Sequence, residues 1–174
     1  MIIGITGKSG VGKSTYARKI AKENGFHIIN FDEMSHRVML LSNVEQKLIE
    51  IFGEETIKKW HYGIIDRKYL GDLIFSNRHL YKEMSDIVWK EMKVEIDYDL
   101  LMHENVILDW ILLPHSHYWK MCDKKILITA DEEQRKKMVM KRDNISKEYL
   151  EKRDSASICY DDFVFDEIIN NKYT

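Results

Sequence analysis

The sequence is poor in residues that interrupt or crosslink a chain: its 174 residues include one proline, two cysteines and eight glycines. A single proline and no Gly/Ser-rich stretch argue against a flexible linker and favour one domain with a sizeable core. The cysteines, Cys122 and Cys159, are too few for a disulfide framework and lack the spacing of a metal site. We therefore expect reduced thiols in a cytoplasmic protein.

Long hydrophobic runs and an excess of charge of one sign are absent as well. No apolar run approaches the ~20 residues that span a bilayer, and the first residues lack the pattern of a signal peptide. The formal net charge is −2 at pH 7, which argues against nucleic acid as the main partner. We expect a globular protein without membrane or nucleic-acid partners, and the oligomeric state is left open.

Three of the glycines lie together near the N-terminus, where residues 7–14 read GKSGVGKS. This is the GxxxxGK[ST] pattern of the phosphate-binding P-loop, in which Lys13 reaches the β- and γ-phosphates and the Ser14 hydroxyl ligates Mg²⁺. Glycines let the backbone N–H groups point inward, and the helix that follows adds the positive end of its dipole. The residues predicted to bind ATP here are Gly7, Ser9, Gly10, Val11, Gly12, Lys13, Ser14 and Thr15.

Strands and helices alternate along the chain, which favours a parallel sheet covered by helices on both faces. Strands are predicted at 1–6, 27–30 (ending near Asp32), 106–109, 125–129 and 165–169. Helices are predicted at 13–23, 33–52 with a break near 42–43, 67–75 after an Asp66 N-cap, 78–102, 131–142 and 146–153. Ligands of such sheets bind at the carboxyl ends of the strands, so we expect the P-loop, Asp32 and Asp109 to converge on one cleft.

Both aspartates have a structural alternative. Asp109 ends an apolar strand, where P-loop proteins place the acidic residue that helps to hold Mg²⁺; the alternative is a cap for the next turn. Asp32 follows the second strand, where a carboxylate could take the proton of an acceptor hydroxyl during phosphoryl transfer. Its alternative is the N-cap of a helix that begins at Glu33.

A cationic stretch at residues 134–143 includes Arg135 and Arg142, which are seven residues apart and therefore share a helix face. Arginines on such a face can close over nucleotide phosphates and neutralise charge in the transition state. The alternative is a solvated basic face, and the pattern favours the functional reading more for Arg142 than for Arg135.

Several segments together resemble the dephospho-CoA kinase family. The stretch 63–75, which reads GIIDRKYLGDLIF, is the most distinctive of them, because generic nucleotide kinases lack it. In chain order the similar segments are residues 3–15, 28–32, 52–53, 63–75, 107–113, 134–148 and 166–171.

This resemblance implies a three-layer P-loop kinase fold with core residues of about 1–32 and 104–174. It also implies a helical acceptor-binding insertion at about 33–103 and a lid at about 135–155. The implied reaction transfers the γ-phosphoryl group of ATP to the ribose 3′-hydroxyl of dephospho-CoA, with Mg²⁺. The resemblance further implies that Asp32 acts on the acceptor, that Arg67 binds its phosphates, and that Asn171, in the loop after the last strand, lies near the adenine.

The chain departs from the family pattern mainly on the acceptor side, at Asn30, at residues 89–90 and at residues 111–115. These departures leave two alternatives open: a kinase of another small acceptor, such as a nucleoside monophosphate, and a non-catalytic nucleotide-binding paralogue. A GTPase is disfavoured, because the sequence has no NKxD motif for reading guanine.

Overall fold

A five-stranded parallel sheet forms the centre of the computed structural model, which describes residues 1–53, 78–155 and 157–172. The strands lie in the order β2-β3-β1-β4-β5. Their bounds are β1 Ile2–Thr6, β2 His27–Asn30, β3 Val106–Asp109, β4 Lys124–Ala130 and β5 Glu167–Asn171. Parallel neighbours require crossover connections, so the predicted α/β class is confirmed.

Six α-helices and two short 3₁₀ helices lie in the described ranges. The α-helices are α1 Lys13–Asn24, α2 Phe31–Val38, α3 Ser42–Phe52, α4 Arg78–Met102, α5 Glu132–Asp143 and α6 Lys147–Ser155. The 3₁₀ helices are Leu113–His115 and His117–Met121. None of the helices in these ranges is long and apolar enough to cross a membrane.

The core lies between the central strands and α1. Ile5 of β1, Ile107 of β3 and Ile126 of β4 are each 1% exposed or less, and Ala17 of α1 packs with them. Each fully buried aliphatic side chain of this kind contributes about 1.5–3 kcal/mol to folding. This rigid centre supports the carboxyl ends of the strands, where the loops emerge.

The helix ends after β4 follow the sequence signals. The Asp131 carboxylate accepts a hydrogen bond from the Gln134 backbone N–H at 2.9 Å and caps α5. Asn144, with φ of 51°, ends that helix in the left-handed conformation that asparagine tolerates. The Ser146 hydroxyl accepts from the Tyr149 N–H at 3.2 Å at the start of α6. Asp131 and Ser146 therefore cap the two helices that follow β4.

The chain divides into two compact units. One contains Met1–Asn30 and Met102–Thr174, and therefore the whole sheet; the other contains Phe31–Leu101. Within the second unit, Asn43 Nδ2 of α3 donates to the Glu91 carboxylate of α4 at 3.0 Å, which ties these two helices together.

Two differences from the predicted bounds change the place of candidate site residues, Asn171 and Asp32. The last strand spans Glu167–Asn171 rather than 165–169, because Phe165 packs edge-on against Trp119 before the strand begins. Asn171 is consequently the last strand residue, paired with Ala130, and does not lie in a following loop. The predicted second strand at 27–30 is confirmed, but α2 begins at Phe31 rather than at Glu33, so Asp32 lies inside the first helical turn. The predicted helix at 67–75 lies outside the described residues.

Candidate active site

The P-loop joins β1 to α1 and wraps closely against α5. Gly10 has φ of 85°, and a Cβ at this position would collide with Val139 Cγ2 of α5. Only glycine combines this backbone conformation with so close an approach. Gly12, the N-cap of α1, has no side chain that could compete with a phosphate for the first-turn N–H groups. The predicted strand–loop–helix context of the motif is thus present.

Lys13 begins α1, and its Nζ donates to the backbone carbonyl of Lys8 at 3.2 Å. The Lys13 side chain therefore folds back along the P-loop and connects the end of the loop to its start. The contact of Lys13 with the β- and γ-phosphates, which the P-loop pattern assigns to it, stays a prediction.

Ser14 and Asp109 are brought together by α1 and β3. Ser14 Oγ donates to Asp109 Oδ2 at 2.7 Å, and Asn30 Nδ2 donates to the same oxygen at 2.8 Å. Asp109 is 1% exposed, and register pairs it with Asn30 on β2 and Ile5 on β1. A hydroxyl and a carboxylate in contact form the oxygen donor set that Mg²⁺ prefers, so the residues fit this ion.

Asn30 also belongs to this cluster, although no role was predicted for it from the sequence. The available signal was its position: it ends β2, just as Asp109 ends the neighbouring β3. Parallel strands that end in register place their last side chains side by side. The amide donor occupies part of the hydrogen-bonding capacity of the Asp109 carboxylate and orients it toward Ser14.

Arg142, near the end of α5, reaches the P-loop from solvent. Its Nη2 donates to Ser9 Oγ at 3.2 Å, its side chain is 59% exposed, and its Nε donates to Asp143 Oδ1 at 2.6 Å. Arg153 Nη1 of α6 also donates to Asp143, at 3.1 Å. The hydrogen bond from Arg142 is the main reason why the pKa of Asp143 lies below its usual value. Asp143 thus holds an exposed guanidinium beside the loop.

Arg135 is placed differently from Arg142, although both extend from α5. Its side chain is 1% exposed, and Nη1 donates to the Ser9 backbone carbonyl at 3.0 Å. The guanidinium is also paired with Glu132 and with Asp154 of α6. The hydrogen bond to Glu132 is the largest cause that raises the pKa of Arg135. Direct contact of Arg135 with ATP stays a prediction, and its burial favours an indirect role.

Asn171, at the end of β5, lies directly against the P-loop. Its Nδ2 donates to the Val11 carbonyl at 2.9 Å, and a Cβ on Gly12 would collide with the same nitrogen. The side chain therefore supports the loop at the start of α1. The expected proximity of Asn171 to the adenine stays a prediction.

Tyr160 fills the space beside the start of the P-loop and was not identified from the sequence. Its hydroxyl donates to the Ile111 carbonyl at 2.9 Å and lies 3.4 Å from Thr6 Oγ1. Burial raises the pKa of Tyr160 to about 12. Tyr160 also lines a cavity of about 180 Å³ with Lys8 and Thr129.

Asp32 and Arg67 are the two residues that were predicted to act on the acceptor. Asp32 is exposed in the first turn of α2, in the other compact unit, and its backbone carbonyl accepts from Ser35 Oγ at 2.8 Å. Arg67 lies outside the described residues. Both roles on the acceptor stay predictions.

Comparisons with known proteins agree with this arrangement. The chain is 31% identical over 159 residues to a dephospho-CoA kinase of Fusobacterium nucleatum, which covers 87% of this chain and 78% of that protein. A crystal structure from Thermus thermophilus superimposes with a TM-score of 0.81 at 27% identity, covering 98% of this chain and 88% of the other. A dephospho-CoA kinase from Campylobacter jejuni shares the fold, with a TM-score of 0.68, 24% identity and coverage of 99% and 89%.

The match of a family model completes this comparison. Residues 1–172 match the model of the family described as dephospho-CoA kinase. The match runs through both compact units and through every segment in which the sequence resembled that family. The resemblance predicted from the sequence is confirmed, and the chain belongs to the dephospho-CoA kinase family.

Proposed function

We propose that this protein transfers the γ-phosphoryl group of ATP to the ribose 3′-hydroxyl of dephospho-CoA, giving coenzyme A and ADP. The acceptor oxygen forms a bond to the γ-phosphorus while the bond from that phosphorus to the β,γ-bridging oxygen breaks. The hydroxyl proton passes to a carboxylate, and ADP leaves with the bridging oxygen. Family membership and the Ser14–Asp109 contact beside the P-loop support this proposal.

The phosphate side of the reaction uses the P-loop. Its backbone N–H groups, from Gly7 to Thr15, surround the β- and γ-phosphates, and the Lys13 ammonium neutralises charge on them. The supporting observation is that Lys13 Nζ already lies 3.2 Å from the Lys8 carbonyl, along the loop. A fixed cation costs little reorganisation when charge develops on the transferred group.

Ser14 and Asp109 are the residues that would hold Mg²⁺. When bound, the ion would neutralise negative charge on the phosphates of ATP. Ser14 Oγ and Asp109 Oδ2 lie 2.7 Å apart, and Asn30 Nδ2 fixes the orientation of that carboxylate. Asn30 itself offers its donor group to Asp109, so we assign it to positioning rather than to direct binding.

The acceptor side is assigned to Asp32 and Arg67. Asp32 accepts the proton of the attacking hydroxyl, a role that suits an exposed carboxylate at the start of a helix that follows a parallel strand. Arg67 binds the acceptor phosphates, because a guanidinium pairs with phosphate oxygens in a bidentate way. Both assignments come from the positions of these residues in the family pattern.

Residues 135–155 form the proposed lid, which contains most of α5 and α6. Arg142 is its contact with the γ-phosphoryl group: its guanidinium is exposed, lies 3.2 Å from Ser9 Oγ, and is held by Asp143. Phosphate oxygens can replace Asp143 as the acceptors of this guanidinium. Asn171 supports the loop at Val11 and is proposed to lie near the adenine.

The proposed setting is the cytoplasm. Cys122 and Cys159 are both free thiols, as expected where glutathione and thioredoxin keep cysteines reduced.

An acceptor panel tests the reaction. Release of ADP from Mg·ATP is measured with dephospho-CoA, with nucleoside monophosphates, with simple hydroxyl metabolites and with no acceptor. Strong stimulation by dephospho-CoA alone supports the proposal. Stimulation by another acceptor, with none by dephospho-CoA, overturns the acceptor assignment. ATP binding without stimulation by any acceptor indicates a non-catalytic nucleotide-binding paralogue.

A further inference from the structure

Arg135 is the largest of the fully buried side chains among the described residues. A guanidinium carries five N–H donors and a permanent charge, so its burial is costly unless acceptors and countercharges surround it. The hydrogen-bond acceptors that surround the Arg135 guanidinium therefore indicate the role of this side chain.

Three different segments supply those acceptors. Glu132, one helical turn earlier on α5, accepts from Nε at 2.9 Å and from Nη2 at 2.7 Å. Asp154 of α6 is paired with Nη2 and lies 3.5 Å from Nη1. The Ser9 carbonyl in the P-loop accepts from Nη1 at 3.0 Å. One buried cation thus joins α5, α6 and the phosphate-binding loop.

The carboxylates of Glu132 and Asp154 differ in how firmly they can hold the Arg135 guanidinium in place. Glu132 is on the same helix as Arg135, and its side chain is 45% exposed, so water can replace it at the guanidinium. Asp154 is 15% exposed and approaches from α6. Asp154 is therefore the enclosed partner that ties the guanidinium to a second helix.

The orientation of the Ser9 carbonyl determines the orientation of a backbone N–H group in the P-loop. A trans peptide is planar, with its C=O and the next N–H on opposite sides, so holding the Ser9 carbonyl also fixes the direction of the Gly10 N–H. That N–H is one of the loop amides in the phosphate-binding motif. Gly10 also packs on Val139 and Arg135, which leaves the loop little room to turn over.

We propose that Asp154 is a positioning residue for the nucleotide phosphates: it holds Arg135 on the Ser9 carbonyl and thereby keeps the P-loop amides in their binding orientation. This inference rests on the proposed function for the identity of the ligand. In this proposal the buried Arg135 supports the P-loop, whereas Arg142 is the arginine that is exposed to solvent. Through Asp154, the placement of α6 affects how tightly the P-loop binds phosphate.

The test compares Asp154→Ala, Asp154→Asn and Asp154→Glu with Glu151→Ala. Glu151 is the matched control, because it is an exposed carboxylate on the same helix that pairs only with Lys147 at 3.9 Å among the ion pairs described. ADP affinity is measured by titration calorimetry, and hydrogen exchange of residues 7–14 is measured without nucleotide. We expect ADP binding about tenfold weaker in Asp154→Ala, faster exchange in the P-loop, recovery in Asp154→Glu, and wild-type behaviour in Glu151→Ala.

The exchange measurement separates positioning from a purely structural role. A variant that is only less stable has a lower melting temperature but unchanged ADP affinity and P-loop exchange while folded, and this result overturns the proposal. If Asp154→Ala does not fold, Asp154→Asn, which keeps the side-chain volume and removes the charge, decides between the same two results. A wild-type chain that binds no ADP refutes the proposed function, whereas the exchange of residues 7–14 still tests Asp154.

Discussion

The Ser14 hydroxyl donates a 2.7 Å hydrogen bond to Asp109, although 95 residues separate the two in the chain. Strand β3 delivers Asp109 beside β1, and α1 returns Ser14 to the same edge of the sheet. The pair is therefore a product of the parallel topology, and it places two oxygen donors where a P-loop protein needs its cation.

We expect Asp109→Asn to raise the Mg²⁺ concentration that turnover requires. An amide removes the negative charge that attracts the ion but keeps the shape of the side chain. The apparent affinity for Mg²⁺ should fall by about tenfold or more, while ADP binding without metal should change little. Turnover titrated with Mg²⁺, and ADP calorimetry in a chelator, measure the two effects. Equal loss of ADP affinity with and without metal would contradict this role.

Lys13→Ala should lose most turnover. The ammonium neutralises the charge of the transferred group in a site where electrostatic stabilisation is strong, so kcat should fall by about 100-fold or more. ADP release at saturating Mg·ATP and dephospho-CoA is the measurement. Lys19→Ala, an exposed lysine on the same helix, is the control and should retain wild-type turnover.

Asp32→Asn should lower kcat and leave the KM for ATP nearly unchanged, because its proposed role is on the acceptor hydroxyl. Removal of a general base typically costs about 10²–10⁴-fold in rate. Steady-state kinetics with each substrate varied will separate the two parameters, and Glu50→Gln on α3 is an exposed acidic control. Unchanged turnover would remove Asp32 from the mechanism.

Arg142→Ala should lower kcat more than it weakens ADP binding. Its guanidinium is proposed to meet the γ-phosphoryl group, which ADP lacks, so its contribution appears mainly in the transition state. Arg142→Lys should recover only part of the rate, because an ammonium cannot form the planar bidentate contact. Lys141→Ala, the exposed neighbour on α5, is the control. A loss of ADP affinity as large as the loss of kcat would argue against this placement.

Because Tyr160 is buried, we expect the protein to lose stability at alkaline pH. Burial raises its pKa from 10.0 to about 12, so between these values the folded state retains a proton that the unfolded state releases. The contribution of Tyr160 to stability is therefore fully present below pH 10 and is lost as pH rises toward 12. Burial raises the pKa of Cys122 from 9.0 to about 12 with the same sign. Tyr160→Phe should flatten this decline, measured as denaturation midpoints at pH 8 and pH 11. An unchanged slope in the variant would contradict the assignment.

Local signals account for much of what could be predicted. The bounds of β3 and α4 were predicted to the residue, because an apolar run ending in Asp109 and a long uninterrupted helical stretch are properties of neighbouring residues. The P-loop context was predicted for the same reason, since its glycines encode a backbone conformation directly. The last strand was misplaced, because Phe165 satisfied the strand pattern but packs against Trp119 instead.

By itself the sequence determined the P-loop, the alternation that makes a parallel sheet, and the family, since each depends on residue order within short segments or on their sequence along the chain. Only the tertiary structure decided which of two arginines on α5 is buried. Periodicity places Arg135 and Arg142 on one face of that helix, but the P-loop and Asp154 enclose only Arg135. A charged helix carries no local signal for the partner it will meet, because ion pairing across 19 residues or more is set by how the elements pack.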